Sequence, residues 1–347
     1  MAGKREALDY GALRRTLQAE GPKRAYLLYG EEDYLKEQFS GDIRAACLPE
    51  GGEEWNYRRL DGPLVDMGAL EEAVSAVPFL GARTLVELRD FEINACKEAD
   101  AARLRAVTED LPEYCTLLIT LPAGYEPDGR LSAFKAVKKA GTVLEFTAQS
   151  QGQLMGWIVR RFAALGKDVS RPACEQLIFM TGGLMGRMVP EIEKLAAYVK
   201  GETVAEGDVR AVVIQFPEAS VFELGEQIAG GQYAKAAATL QGLFDMRTEP
   251  IMILAMLGRS LRQLYTARLL LDRGQGAREL MAELDLRYEF IARRLLAGAK
   301  NFDAAALGAA LRRMASADLE MKSSRSGSGA ELLTELLLSF AVEGTAR

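Results

Sequence analysis

Histidine is absent from the 347 residues of the chain. Its absence removes the commonest general base and the commonest metal ligand of proteins. The four cysteines, Cys47, Cys96, Cys115 and Cys174, are scattered, and no two of them form a C-x-x-C metal or redox pair. We therefore expect reduced core thiols, no metal site and no histidine-based catalytic centre.

Long apolar runs are also missing. The longest run of note, residues 251–257, is far short of the roughly 20 apolar residues that cross a bilayer. The first 15 residues, MAGKREALDYGALRR, lack the apolar segment of a signal peptide. A net charge of −6 argues against a free-standing nucleic-acid binder. These absences predict a soluble, cytoplasmic protein with no membrane partner.

A phosphate-binding sequence is missing from a segment that otherwise has its layout. Residues 25–37, AYLLYGEEDYLKE, predict a buried strand, a turn at Gly30 and an amphipathic helix. A P-loop needs G-x-x-x-x-G-K-[ST], whereas this turn has one glycine followed by three acids at 31–33, which would repel a phosphate. The apolar strand at 115–121 also lacks the terminal acids that hold magnesium in such ATPases. We infer a nucleotide-binding scaffold that binds no nucleotide and needs no cofactor.

Strand and helix patterns alternate in the first 148 residues, and helical periodicity follows. The predicted strands are 25–29, 55–60, 84–88, 115–121 and 142–146, and the predicted helices between them are 34–47, 66–77, 97–110 and 131–139. Strands separated by helices indicate a parallel sheet covered on both faces. Residues 149–215 predict a small helical domain, and residues 216–347 a larger one with helices at 221–229, 234–244, 250–272, 287–299, 304–321 and 330–342. The fold class is therefore α/β plus all-α.

Four segments in this order resemble the delta subunits of bacterial DNA polymerase III, which are clamp-loader subunits. They are YLLYGEEDYLKE at 26–37, PFLGARTLVELRD at 78–90, EIEKLAAYV at 191–199 followed by TVAEGDV, and VFELGEQIAGGQYAKAA at 221–237. The resemblance implies an AAA+ type α/β domain without a functional P-loop (1–148), a helical lid domain (149–215) and a helical collar domain for oligomerisation (216–347).

The resemblance also implies a clamp-binding tip. In the family, two large apolar side chains at the end of a helix insert into the sliding clamp, and the matching positions here are Phe79 and Leu80. Pro78 stops the helix, Gly81 lets the chain turn back, and Arg83 leads into the next strand. Many relatives carry Phe where this chain has Leu80. From the residues alone, an apolar pair after a helix is more often core than an exposed binding site.

The implied function is to bind and open the beta sliding clamp during DNA replication, with no catalytic residue in this subunit of the nucleotidyltransferase holoenzyme. The implied partners are the clamp, the tau/gamma and delta-prime subunits through the collar, and primed DNA in the assembled complex. The delta-prime subunit itself is disfavoured because the chain has no zinc-type cysteine cluster and no Ser-Arg-Cys motif.

Two other functions remain open at this point. The chain could be a divergent AAA+ ATPase, which a rise in melting temperature with ATP and magnesium would reveal. It could also be a structural helical adaptor with a buried tip, which solvent labelling of residues 78–83 would reveal.

Overall fold

A computed structural model describes residues 9–48, 50–79, 81–323 and 329–344. The chain divides into two compact units. The first comprises residues 1–149 with 184–186, and the second comprises 150–183 with 187–347. The finer division into three domains at 148 and 215 stays a prediction.

The first unit is an α/β layer structure. Its elements are α1 (Tyr10–Glu20), β1 (Ala25–Tyr29), α2 (Asp33–Cys47), α3 (Glu53–Asn56), β2 (Tyr57–Asp61), α4 (Met67–Ser75), β3 (Thr84–Arg89), a 3₁₀ turn (Ile93–Ala95), α5 (Glu98–Glu109), β4 (Cys115–Thr120), α6 (Ser132–Ala140) and β5 (Thr142–Glu145). The five strands are all parallel, in the order β2-β3-β4-β1-β5. The predicted parallel sheet is thereby confirmed.

Burial along the strands follows from this order. All six residues of β4 are buried, as are the first four of β1, because these strands lie inside the sheet with helices over both faces. By contrast, β2 is an edge strand, and none of its five residues is fully buried. The core joins strand residues such as Leu27, Val86 and Ile119 to Leu70 of α4 and Leu104 of α5.

Two predicted boundaries near this edge strand were wrong. The strand predicted at 55–60 begins only at Tyr57, since residues 53–56 form a single helical turn that contains Trp55. The predicted helix 66–77 ends at Ser75, so that Ala76, Val77 and Pro78 lie outside α4.

The second unit is helical apart from two short paired strands. Its elements are α7 (Gln151–Ala164), β6 (Asp168–Val169), α8 (Arg171–Thr181), α9 (Met185–Tyr198, whose first two residues belong to the first unit), β7 (Thr203–Val204), α10 (Glu206–Val212), α11 (Pro217–Ala229), α12 (Tyr233–Asp245), α13 (Pro250–Asp272), α14 (Ala277–Leu284), α15 (Glu289–Ala299), α16 (Ala304–Ser323) and α17 (Gly329–Gly344). Helix α14 and the β6–β7 pair were not predicted. The α/β plus all-α fold class is confirmed.

A cationic side chain joins three helices of the second unit. Arg294 of α15 bonds Glu226 of α11, with Nη2 2.8 Å and Nε 3.2 Å from its Oε2. Its Cζ atom lies 4.2 Å from the ring centroid of Phe179 in α8 and 5.2 Å from that of Phe222 in α11. These contacts tie α8 to the later helices. None of the helices described is both long and apolar enough to cross a membrane.

Candidate functional site

The turn after β1 lies against the chain that leaves β5. Gly30 has φ +111°, and a Cβ atom at this position would lie 2.4 Å from the carbonyl oxygen of Phe146. The same carbonyl accepts a hydrogen bond from the Glu32 amide at 3.0 Å, and the Phe146 amide donates to the Tyr29 carbonyl at 2.7 Å. The Glu32 amide therefore bonds the protein itself and is not directed at an anion.

Two of the three acids of this turn accept hydrogen bonds from backbone amides of the first unit. Glu31 Oε1 accepts from the Ala148 amide at 3.1 Å. Glu32 is 1% exposed, and its Oε2 accepts from the Met185 amide at 3.1 Å. Burial raises the pKa of Glu32 to about 7. These carboxylates fix the turn to the segments around it.

Lys36 is the cation closest in sequence to the turn. It is buried, and its Nζ atom donates to the Leu121 carbonyl at 2.8 Å and lies 2.6 Å from Asp33 Oδ1. A lysine in a P-loop directs its charge at a phosphate, whereas this one bonds a carbonyl just beyond β4 and a carboxylate of its own helix. Among the residues described, no group of three or more Cys, Asp or Glu side chains could hold a metal ion.

The predicted tip and the turn after β1 lie at opposite ends of the parallel strands. Residues 76–79 and 81–83 lie between α4 and β3, at the amino-terminal ends of the parallel strands, whereas the turn after β1 lies at the carboxyl-terminal ends. Asp66 caps the start of α4 through the Gly68 and Ala69 amides. Phe79 is 54% exposed, and Val77 is 76% exposed. Leu80 lies outside the described residues.

Phe79 is held by Asn56. The Phe79 amide donates to Asn56 Oδ1 at 2.6 Å, and Asn56 Nδ2 donates to the Phe79 carbonyl at 2.6 Å. Asn56 itself is 1% exposed. The neighbouring Trp55 packs its ring against the Phe79 ring, with centroids 5.4 Å apart at 51°. The backbone and the side chain of Phe79 are therefore both fixed from the segment that precedes β2.

Three further side chains fix the start of β2. The Tyr57 hydroxyl donates to Glu87 Oε2 of β3 at 2.5 Å, and Arg44 Nη2 of α2 bonds the same carboxylate at 3.1 Å. The Arg44 guanidinium also lies over the Tyr57 ring, 4.7 Å from its centroid. Burial, followed by the Glu87 carboxylate, raises the pKa of the Tyr57 hydroxyl above its ordinary value, so the phenol stays protonated further into the alkaline range.

The supporting residues predicted around the tip take different positions. Pro78 is partly buried and Gly81 is exposed. Arg83, the residue before β3, donates from Nη1 to the Glu113 carbonyl at 3.4 Å. Sequence reasoning missed Trp55 and Asn56. The sheet order carries the signal that could have found them. Both residues come just before β2, the tip comes just before β3, and β2 and β3 are neighbours in the sheet.

Two family models match the chain. The model for "DNA polymerase III, delta subunit" matches residues 26–147, which include the tip and the sheet. The model for "DNA polymerase III delta subunit, C-terminal domain" matches residues 218–340.

Curated relatives agree over most of the sequence. DNA polymerase III subunit delta of Bacillus subtilis (strain 168) is 24% identical over 324 residues, covering 90% of this chain and 91% of the relative. A probable DNA polymerase III subunit delta of Aquifex aeolicus (strain VF5) is 23% identical over 290 residues, covering 80% of each.

A solved structure shares the fold. The Bacillus subtilis DNA clamp loader delta protein is 21% identical with a TM-score of 0.52, and the match covers 96% of this chain and 99% of that one. The two family models lie in the expected order, and both describe the same subunit. The chain belongs to the family of DNA polymerase III delta subunits.

Proposed function

We propose that this chain is the clamp-loader subunit that binds the beta sliding clamp and opens it during DNA replication. Membership of the delta-subunit family and the fold shared with a clamp loader delta protein support this function. The observation that carries the site is Phe79, a large aromatic residue that is more than half exposed although two hydrogen bonds hold its backbone.

The binding surface is the tip, with Phe79 and Leu80 as anchors. A Phe or Leu side chain that moves from water into an apolar pocket gains about 1.5 to 3 kcal/mol, and a few such residues dominate most interfaces. Pro78 and Gly81 shape the connection, and Arg83 fastens its end to the Glu113 carbonyl. The role of Leu80 rests on the family resemblance and on its place beside Phe79.

Opening of the clamp follows from preferential binding. If the tip binds the open ring more tightly than the closed ring, the difference in binding free energy shifts the clamp towards the open form. The chain performs no hydrolysis in this scheme. The tau/gamma and delta-prime subunits, joined through the collar domain (216–347), supply ATP-dependent control, and primed DNA enters the assembled complex in the cytoplasm.

The subunit has no catalytic centre of its own and binds no nucleotide. The crowding at Gly30 and the engagement of the Glu32 amide by the Phe146 carbonyl support this part of the proposal. Lys36 supports it as well, because its charge is directed to the Leu121 carbonyl and to Asp33.

Calorimetry of the full chain with the sliding clamp of the same organism tests the proposal. We expect the wild type to bind and the Phe79→Ala, Leu80→Ala double variant to lose binding while circular dichroism shows that it stays folded. Leu64→Ala is the control. Leu64 is 59% exposed, but it follows β2 and so lies at the carboxyl-terminal ends of the strands, whereas the tip lies at their amino-terminal ends. Clamp binding by the double variant with wild-type affinity would favour the function of a structural adaptor.

A further inference from the structure

Two aromatic side chains in contact with each other are both largely open to solvent. Trp55 is 56% exposed and Phe79 is 54% exposed, although their ring centroids are only 5.4 Å apart. Large aromatic residues are normally covered when the fold offers them a core. Val77, two residues before Phe79 in the sequence, is 76% exposed. The result is an apolar surface built from two separate segments of the first unit.

We propose that Trp55 is a direct contact of the clamp-binding surface beside Phe79, and that Asn56 is a positioning residue that fixes the two rings relative to each other. This inference rests on the proposed function of the tip. It adds a second segment, residues 55–56, to a site that was predicted from residues 78–83 alone.

The geometry of Asn56 supports the positioning role. Its side-chain amide makes two hydrogen bonds to one residue, accepting from the Phe79 amide and donating to the Phe79 carbonyl, both at 2.6 Å. The Asn56 backbone adjoins Trp55, so one residue sets the positions of both rings. A connection held in this way loses little conformational freedom on binding, which leaves more of the contact free energy as affinity.

The support beneath Asn56 is equally fixed. Tyr57, the next residue, bonds the buried Glu87 carboxylate, which Arg44 also bonds. Residues 55–57 are thus attached to β3 and α2 on one side and to the tip on the other. Rigid elements of this kind hold an interface residue in its bound geometry.

The partner that suits this surface is an apolar pocket wide enough for an indole beside a phenyl ring. Tryptophan is among the residues most enriched at interface hot spots. The Trp55 and Phe79 rings are tilted at 51° to each other, and the two residues stay 56% and 54% exposed, which is the surface that a clamp pocket would cover.

Fluorescence of Trp55 tests the contact without altering it. The chain has two tryptophans, so a Trp157→Phe variant reports on Trp55 alone. We expect saturating clamp to blue-shift its emission and to reduce acrylamide quenching by about twofold or more. Unchanged quenching in a complex that calorimetry shows to be formed would overturn the role of Trp55.

Calorimetry with single variants tests the same inference through affinity. We expect Trp55→Ala to weaken clamp binding about tenfold or more, as Phe79→Ala does, with Leu64→Ala unchanged. Loss of binding by Phe79→Ala together with wild-type affinity of Trp55→Ala would overturn the inference and leave the proposed function standing. Failure of the wild type to bind would overturn both.

Hydrogen exchange separates positioning from general stability. In Asn56→Ala, we expect the Phe79 amide to exchange faster and clamp affinity to fall about fivefold or more, while the amides of β3 keep their protection. Asn56→Asp keeps an acceptor for the Phe79 amide, so that amide should remain protected although the donor to the Phe79 carbonyl is lost. Wild-type affinity of Asn56→Ala with a fast-exchanging Phe79 amide would overturn the positioning role.

Discussion

Gly30→Ala tests the crowding that closes the turn after β1. The added methyl group would lie 2.4 Å from the carbonyl oxygen and 2.8 Å from the carbonyl carbon of Phe146. Both are backbone atoms, which cannot rotate away as the end of a long side chain can. The backbone of residue 30 also has φ +111°, a region that residues with a Cβ atom rarely adopt.

The two costs can be estimated separately. The unfavourable backbone conformation costs about 1 to 3 kcal/mol, and displacement of a packed segment costs about 1 to 3 kcal/mol more. The lower conformational entropy of the unfolded chain with alanine returns about 0.4 to 1 kcal/mol. We therefore expect Gly30→Ala to lower the free energy of unfolding of the first unit by about 1 to 5.5 kcal/mol.

Urea unfolding measures this change, with Trp55 fluorescence reporting on the first unit in a Trp157→Phe background. Gly41→Ala is the matched control, because Gly41 lies in α2, is exposed, and would have nothing within 4 Å of its Cβ atom. We expect it to raise stability by about 0.5 to 1 kcal/mol. A neutral or stabilising Gly30→Ala would refute the reasoning that this turn is closed by backbone contact.

Two further predictions concern a buried carboxyl group and a partly buried arginine. Burial raises the pKa of Glu32 from 4.5 to about 7, so its contribution to stability is complete below pH 4.5 and is lost as the pH rises through 7. Relative to Glu32→Gln, which keeps an acceptor for the Met185 amide, the wild type should lose up to about 3 kcal/mol of unfolding free energy as the pH rises across this range. Parallel profiles of unfolding free energy for the two proteins from pH 4 to pH 8 would contradict this. Arg294→Ala should destabilise the second unit by about 2 to 4 kcal/mol through lost charged hydrogen bonds and cation–π contacts, whereas Arg293→Ala, whose side chain is 48% exposed, should cost about 1 kcal/mol or less in thermal unfolding. Equal losses would mean that the contacts of Arg294 with Glu226, Phe179 and Phe222 add no stability.

The elements with strong periodicity could be predicted from the sequence. The run AYLLY at 25–29 forms β1 as predicted, because five apolar residues before a glycine suit a strand buried on both faces. The long helix that begins at Pro250 also has its predicted bounds, since proline suits the first helical position and Gly274 lies just beyond the end.

Short elements were harder to predict. Helix α14 begins after Gly276, where the Glu279 carboxylate accepts from the Gly276 amide at 3.0 Å. This cap replaces the Ser or Thr that normally signals a helix start, so the pattern was missed. The predicted strand 55–60 includes Trp55, an aromatic residue of the kind that favours strands, but residues 53–56 form a helical turn before β2.

The site depended on contacts between distant segments. Periodicity gives no information on whether Phe79 is buried or exposed, and only the family resemblance indicated its exposure. Asn56 and Phe79 are 23 residues apart, and their pairing requires that β2 and β3 be parallel neighbours whose leading segments meet. A prediction of the sheet order would have been needed before the two-segment surface could be found.

Release of a closed clamp from circular DNA tests the central claim most directly. Closed clamp that encircles nicked circular DNA is mixed with the purified chain in the absence of nucleotide. Gel filtration then separates free clamp from DNA-bound clamp. We predict that the wild type releases the clamp without ATP and that the Phe79→Ala, Leu80→Ala variant does not. Retention of the clamp by a wild-type chain that binds it, or equal release by the folded double variant, would contradict opening of the ring by this tip.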